Sequence, residues 1–155
     1  MSLGDRLHAV LASLQWLAVP DSEVDGGFHL RPSDGPAPWP VVAAVPPGTH
    51  GVVVLSVLPD PVPADRRDAV VAALGPMNLR TPGGCVEIDL ESGEVRARAG
   101  LDLGVCEVED DQLTALVAGL VDASLGTMGA WREVVEAIAG GTDPDDIELL
   151  RAGAA

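Results

Sequence analysis

Lysine is absent from this sequence. All nine Lys/Arg positions are arginine, set against 24 acids, and the net charge is −15. Without lysine there is no Gly-Lys-Ser/Thr and so no Walker-type phosphate loop. So few cations form no basic stripe to release counterions, which excludes nucleic acid as an expected partner. An acidic surface is also repelled by anionic headgroups, so no membrane partner is expected. The charge points to basic or neutral partners, or to solubility alone. Long apolar runs are missing: no window approaches the ~18 uninterrupted apolar residues of a membrane span. The N-terminus lacks the basic stretch and apolar run of a signal peptide, so a cytoplasmic protein is expected. Three scattered histidines and two cysteines offer no ligand cluster at zinc spacing. Neither cysteine adjoins a histidine, and no Gly-x-Ser-x-Gly is present. No catalytic residue, metal or cofactor is therefore expected.

What is present is enough for one domain over residues 1–155, with 47% apolar residues to form a core. Its clearest piece is a hairpin over Cys85–Leu103. Val86, Ile88 and Leu90 alternate with Cys85, Glu87 and Asp89. Val95, Ala97, Ala99 and Leu101 alternate with Arg96, Arg98 and Asp102. Such alternation marks strands with one buried face. The turn falls at Glu91-Ser92-Gly93-Glu94. Setting Leu90 opposite Val95 places Asp89 opposite Arg96 and Glu87 opposite Arg98, which makes one face apolar and the other charge-paired. In that register Cys85 faces Gly100, ~20 Å along the strand from Cys106. Disulfide geometry needs Cα atoms within ~7 Å, so free thiols are expected.

Taken in order, Ser2–Leu17 reads as a helix with a Ser2/Asp5 capping box and a leucine stripe, ended by Pro20. His8 falls on its polar side. A short strand is expected at Gly27–Arg31, carrying His29 with no second ligand nearby. The loop Pro32–Pro40 is stiffened by Pro36, Pro38 and Pro40. Trp39 within it is either a partner anchor or a ring folded back over the sheet. Val41–Val45 and Gly51–Leu58 are apolar on both faces and read as a hairpin of interior strands, covered on two sides. A helix at Pro63–Leu74 is expected to stop at Gly75-Pro76. Gly83-Gly84 precedes a strand and reads as a turn. The acids of Glu107–Asp111 suit a helix N-terminus. Apolar residues at helical spacing follow from Leu113 to Ile138, either as one helix kinked at Gly126 and Gly129 or as two. Gly140-Gly141 ends it, and Asp143-Pro144 opens a last short helix to Arg151, within a tail over residues 142–155.

The segment Asn78–Ile138 resembles the YbjN family of proposed sensory-transduction regulators. The matching features are Asn78, the GGCVEIDLESGEVRARAGLDL hairpin and the LTALVAGLV helix after it. The resemblance implies the fold of type III secretion chaperones: an α+β domain with a twisted antiparallel sheet of about five strands and helices packed on it, in the order α-β-β-β-α-β-β-α(-α). It also implies a homodimer that holds an extended client segment. The expected function is a non-catalytic protein- or peptide-binding module of chaperone or regulator type. The alternative is a small-ligand sensing domain with a pocket between sheet and helices. Candidate partner-binding residues are Trp39, Val53, Leu55 and Trp131.

Overall fold

The computed structural model describes residues 1–151 apart from positions 23 and 25; the end of the expected tail, residues 152–155, lies outside the described residues. The chain runs α1 (Leu3–Ser13), β1 (Trp16–Pro20), β2 (Gly27–Pro32), β3 (Val41–Ala44), β4 (Gly51–Val57), α2 (Arg67–Leu79), β5 (Cys85–Ile88), β6 (Val95–Asp102), α3 (Asp110–Ala139) and α4 (Glu148–Arg151). The sheet has six strands in the order β1-β2-β3-β4-β6-β5, every pair antiparallel. The architecture is the expected α+β sheet with helices packed on it, with one strand more than the sequence suggested.

The extra strand comes from the end of the first helix. The Ser2/Asp5 capping box is present, but the helix stops after Ser13, and Gln15 takes a left-handed φ of 63°. The chain then reverses, and Trp16–Pro20 pairs along β2. Leu17 continues the helical leucine stripe, yet pairing with β2 wins, because an isolated helical turn gains less than a strand that completes a ladder.

The middle helix also departs from expectation. Pro63 precedes a short 3₁₀ turn, Ala64–Arg66, and α2 then runs through Gly75 and Pro76 to Leu79. The proline forgoes one backbone bond. Two polar side chains serve the last turn: Arg80 Nη1 donates to the Pro76 carbonyl at 2.8 Å, and Thr81 Oγ1 donates to that of Met77 at 2.9 Å. Stopping at Gly75 would have withdrawn Met77, which is fully buried.

The hairpin register differs by two residues from the one inferred. Ile88 faces Val95, Val86 faces Ala97, Glu87 faces Arg96 and Cys85 faces Arg98. A shift of two keeps the strand side chains on their expected faces, but Leu90, expected opposite Val95 on the buried face, falls in the turn and is 56% exposed. Asp89, expected to pair with Arg96, instead holds the turn: its Oδ1 accepts from the N–H of Glu91 at 2.8 Å. The Arg67 guanidinium, projecting from α2, donates to the carbonyls of Leu90, Glu91 and Ser92 in the same turn. Gly93 sits at φ 82°, where a Cβ would collide with the Val62 carbonyl.

The helices cover one face of the sheet. α3 is a single helix of 30 residues. It is long and apolar enough to span a bilayer, but its apolar stripe is spent on the sheet: Leu113, Val117, Val121, Val135 and Ile138 are all buried. Its first half joins α1 and strands β2–β4 in one cluster, with Leu7, Leu11, Val41, Val52 and Val54. Its second half joins α2, β5 and β6 in another, with Val70, Met77, Val86, Val95 and Ala97. Each such side chain contributes about 1.5–3 kcal/mol by leaving water. Between the clusters, Ser56 and Ser124 hydroxyls lie 2.9 Å apart, and Ser124 Oγ donates to the Ala97 carbonyl at 3.1 Å. The tail starts as expected, with the Asp143 carboxylate accepting from the N–H of Asp145. It forms a 3₁₀ turn, Pro144–Asp146, before α4.

Candidate functional site: the helix-free face of the sheet

Strand alternation fixes what the second face carries. Val52, Val54 and Ser56 of β4 point to the helices, so Val53, Leu55 and Val57 point away. Pairing extends the same face to Val42 opposite Leu55, Gly100 opposite Val53, and Arg98 and Arg96 on β6. Leu17 and Val19 on β1, His29 and Arg31 on β2, and Cys85 and Glu87 on β5 complete it. Leu17, Val19, Val42, Val53, Leu55 and Val57 belong to neither core cluster. Leu17 is 58% exposed and Val19 53%, while the valines and Leu55 of the inner strands are half-buried. Interior strands apolar on both faces were expected to be covered on both; here the helices cover one.

Several charges on this face pair with one another. Arg96 Nε lies 3.4 Å from Glu87 Oε1 and 3.5 Å from Glu94 Oε1, and Arg98 Nη1 lies 3.8 Å from Glu87 Oε2. His29 Nε2 lies 3.0 Å from Asp21 Oδ2. Beside Arg98, burial pushes the Cys85 thiol above its ordinary value of 9.0, with Glu87 adding to the shift and Arg98 opposing it. Cys85 and Cys106 are both free thiols, as expected. A depression of about 450 Å³ opens where Gly51 and Gly100 leave the surface low, walled by Val53, Leu55, Arg98 and Asp102.

The four expected partner-binding residues separate into two pairs. Val53 and Leu55 stand on the helix-free face. Trp131 does not: it is 7% exposed, lies in the second core cluster and donates from Nε1 to Thr81 Oγ1 at 2.9 Å. It has no surface to offer a partner. Trp39 folds back, packing against both clusters, with Cη2 3.9 Å from where a Cβ on Gly129 would lie. It therefore covers the helix side. A cavity of about 860 Å³ lies beside the Pro-rich loop, between Leu17, Arg31, Pro36, Trp39 and Pro59. The space between sheet and helices, where the alternative reading placed a ligand pocket, is filled by the two clusters.

No protein-family model matches this sequence, and no curated protein does. Solved structures do match. YbjN from E. coli, described as a proposed transcription regulator, superposes with a TM-score of 0.61 at 14% identity, over 84% of this chain and 91% of that one. The fold is YbjN-like. An uncharacterized protein from Methanothermobacter thermautotrophicus matches with a TM-score of 0.51 at 12% identity, over 84% of this chain and 97% of that one. The HopA1–SchA chaperone–effector complex contributes a chain with a TM-score of 0.50 at 20% identity, over 83% of this chain and 91% of that one. The YbjN-like, chaperone-like fold inferred from the hairpin and its following helix is thus the fold observed. The relatedness is one of fold, and function is argued from this chain's own surface.

Proposed function

We propose that this chain is a non-catalytic protein- or peptide-binding module of chaperone or regulator type, acting in the cytoplasm through the helix-free face of its sheet. The observation that carries the reading is the strip Val42, Val53, Leu55 and Val57, which lies outside both core clusters. Soluble monomers seldom leave a contiguous apolar patch beyond ~600 Å² without a use for it. The YbjN-like fold, and a chaperone–effector complex among its neighbours, support the same reading. The test is affinity capture from the native host with the wild-type chain and with Leu55→Arg as paired baits. A protein held by the wild type and lost by a folded Leu55→Arg supports the reading. A protein held equally by both overturns the assignment to this face.

A further inference from the structure

We propose that the cavity beside the Pro-rich loop binds a small monocarboxylic acid with an apolar body, held by Arg31 and seated against Trp39. The site is separate from the strip on the helix-free face: none of Val42, Val53, Leu55 and Val57 lines it. The inference therefore goes beyond the proposed function.

Arg31 carries the argument first. Each of the other arginines donates a hydrogen bond or joins an ion pair. Arg31 does neither among the described residues, although the chain holds 24 acids against nine Lys/Arg. The composition of the cavity explains it, because no Asp or Glu lines the wall on which Arg31 stands. The wall's other cationic candidate, His29, is already taken by Asp21, with Nε2 3.0 Å from Oδ2. What the cavity lacks is an anion. A guanidinium meets a carboxylate through two parallel N–H···O bonds, which fixes the ligand's orientation as well as its charge. One guanidinium matches one negative charge. A dianion such as a phosphate monoester would set its second charge against a chain of net charge −15.

The rest of the wall selects an apolar body. Leu17, Val41 and Trp39 line the cavity together with five prolines, four of them from the Pro-rich loop. Proline fixes its own φ, so the wall is set before a ligand arrives and little ordering cost remains. The volume of about 860 Å³ falls in the range of small-molecule sites, roughly 300–1,000 Å³, which are walled mainly by apolar groups with a few placed polar ones. Trp39 supplies a second, independent observation. Its Nε1–H is buried with no acceptor among the described residues, whereas buried donors are nearly always paired. A small tilt of the ring toward a bound carboxylate gives this donor the acceptor that the fold withholds.

The test uses phenylacetate and hexanoate as probes, with phenylacetamide and hexanamide as their uncharged counterparts, titrated into the full chain through the millimolar range. The readout is the indole N–H resonance of Trp39, assigned by its loss in Trp39→Phe. At least one acid should shift that resonance saturably while the resonance of Trp131, which lies in the second core cluster, stays in place. The matching amide should bind about tenfold more weakly, the scale of one lost charged hydrogen-bond pair. Arg31 is exposed, so Arg31→Gln should keep its circular dichroism, and it should bring the acid down to the affinity of the amide while leaving the amide unchanged. Leu55→Arg should bind the acid as the wild type does, so this site and the binding face stand or fall separately. Three results would each overturn the proposal: neither acid moves the Trp39 resonance, acid and amide bind equally, or acid binding survives Arg31→Gln.

Discussion

The side-chain amide of Asn78 takes both backbone bonds of Val86: Oδ1 accepts the Val86 N–H at 2.7 Å, and Nδ2 donates to the Val86 carbonyl at 3.0 Å. Val86 lies on the outer strand β5, so its free groups would otherwise offer an edge to another chain. Asn78 stands in the last turn of α2, and the course of that helix past Pro76 is what brings it there. Asn78→Ala should therefore cost about 1–3 kcal/mol, the range for orphaning buried polar groups. Urea denaturation measures it. An unchanged midpoint would mean that water replaces the amide without loss.

Among the described residues, the partners of the Arg67 guanidinium are all carbonyls. Its guanidinium donates to Val62 at 3.1 Å, Leu90 at 2.8 Å, Glu91 at 2.9 Å and Ser92 at 3.1 Å. Arg67→Ala should destabilise by about 1.5–3 kcal/mol, as expected for bonds from a charged donor. Arg67→Lys should recover little, because an ammonium is a point donor without the guanidinium's planar fork. Equal stability of Lys and Arg would show that charge rather than geometry holds the turn.

Ser56 and Ser124 are fully buried and bonded to each other across the sheet–helix interface. Ser124→Ala leaves the Ser56 hydroxyl without its partner and should cost about 1–3 kcal/mol. The double variant Ser56→Ala/Ser124→Ala should be more stable than the sum of the two single losses predicts. Additive losses in a double-mutant cycle would show that the hydroxyls act separately.

Acid should loosen two local structures. Asp89 is held below the ordinary carboxylate value of 3.8 by the N–H groups of Glu91 and Ser92, and Asp5 by the hydroxyl and N–H of Ser2. For a depressed carboxylate the stabilisation is complete above the unfolded value and is lost as pH falls through the lower folded value. Between neutrality and about pH 4 neither group should contribute a slope, and below that both should. In Asp89→Asn the slope below pH 4 should be smaller, as read from urea midpoints at stepped pH. An unchanged slope would assign the acid loss to other carboxylates.

The thiols should react at different rates. Cys106 is exposed, whereas Cys85 is half-buried with its thiol pushed up by burial and by Glu87. Because the thiolate is the nucleophile, Ellman's reagent should modify Cys106 first. Cys106→Ser should abolish the fast phase, and Glu87→Gln should quicken the slow one. A fast phase that survives Cys106→Ser would refute this order.

Where the sequence was decisive, the cause was local or periodic. The alternation assigned the side chains of both strands of the last hairpin to their faces, and missed Leu90, which lies in the turn and is exposed. That assignment survived a two-residue error in register, because strand periodicity is two. The Ser2/Asp5 box, the Asp143 cap and the end of α3 at Gly140 need only neighbours within a turn, and all are present. The apolar runs of β3 and β4 also revealed in advance a surplus of apolar surface, and within it Val53 and Leu55.

Tertiary structure decided the rest. Leu17 fits a helical stripe and a strand equally well, and only the ladder with β2 makes it part of an exposed edge. Pro76 stays in a helix because Met77 gains more by burial than one lost backbone bond costs. The hairpin register is held by the Arg67 clamp, a contact from a helix more than twenty residues away, together with the local Asp89 turn. Trp39 and Trp131 were both candidate partner-binding residues, and packing against the second core cluster and Thr81 turned both inward. Pattern in a sequence states which side chains must leave water. Which surface receives them is settled by the contacts that close, and here the helices closed over one face of the sheet.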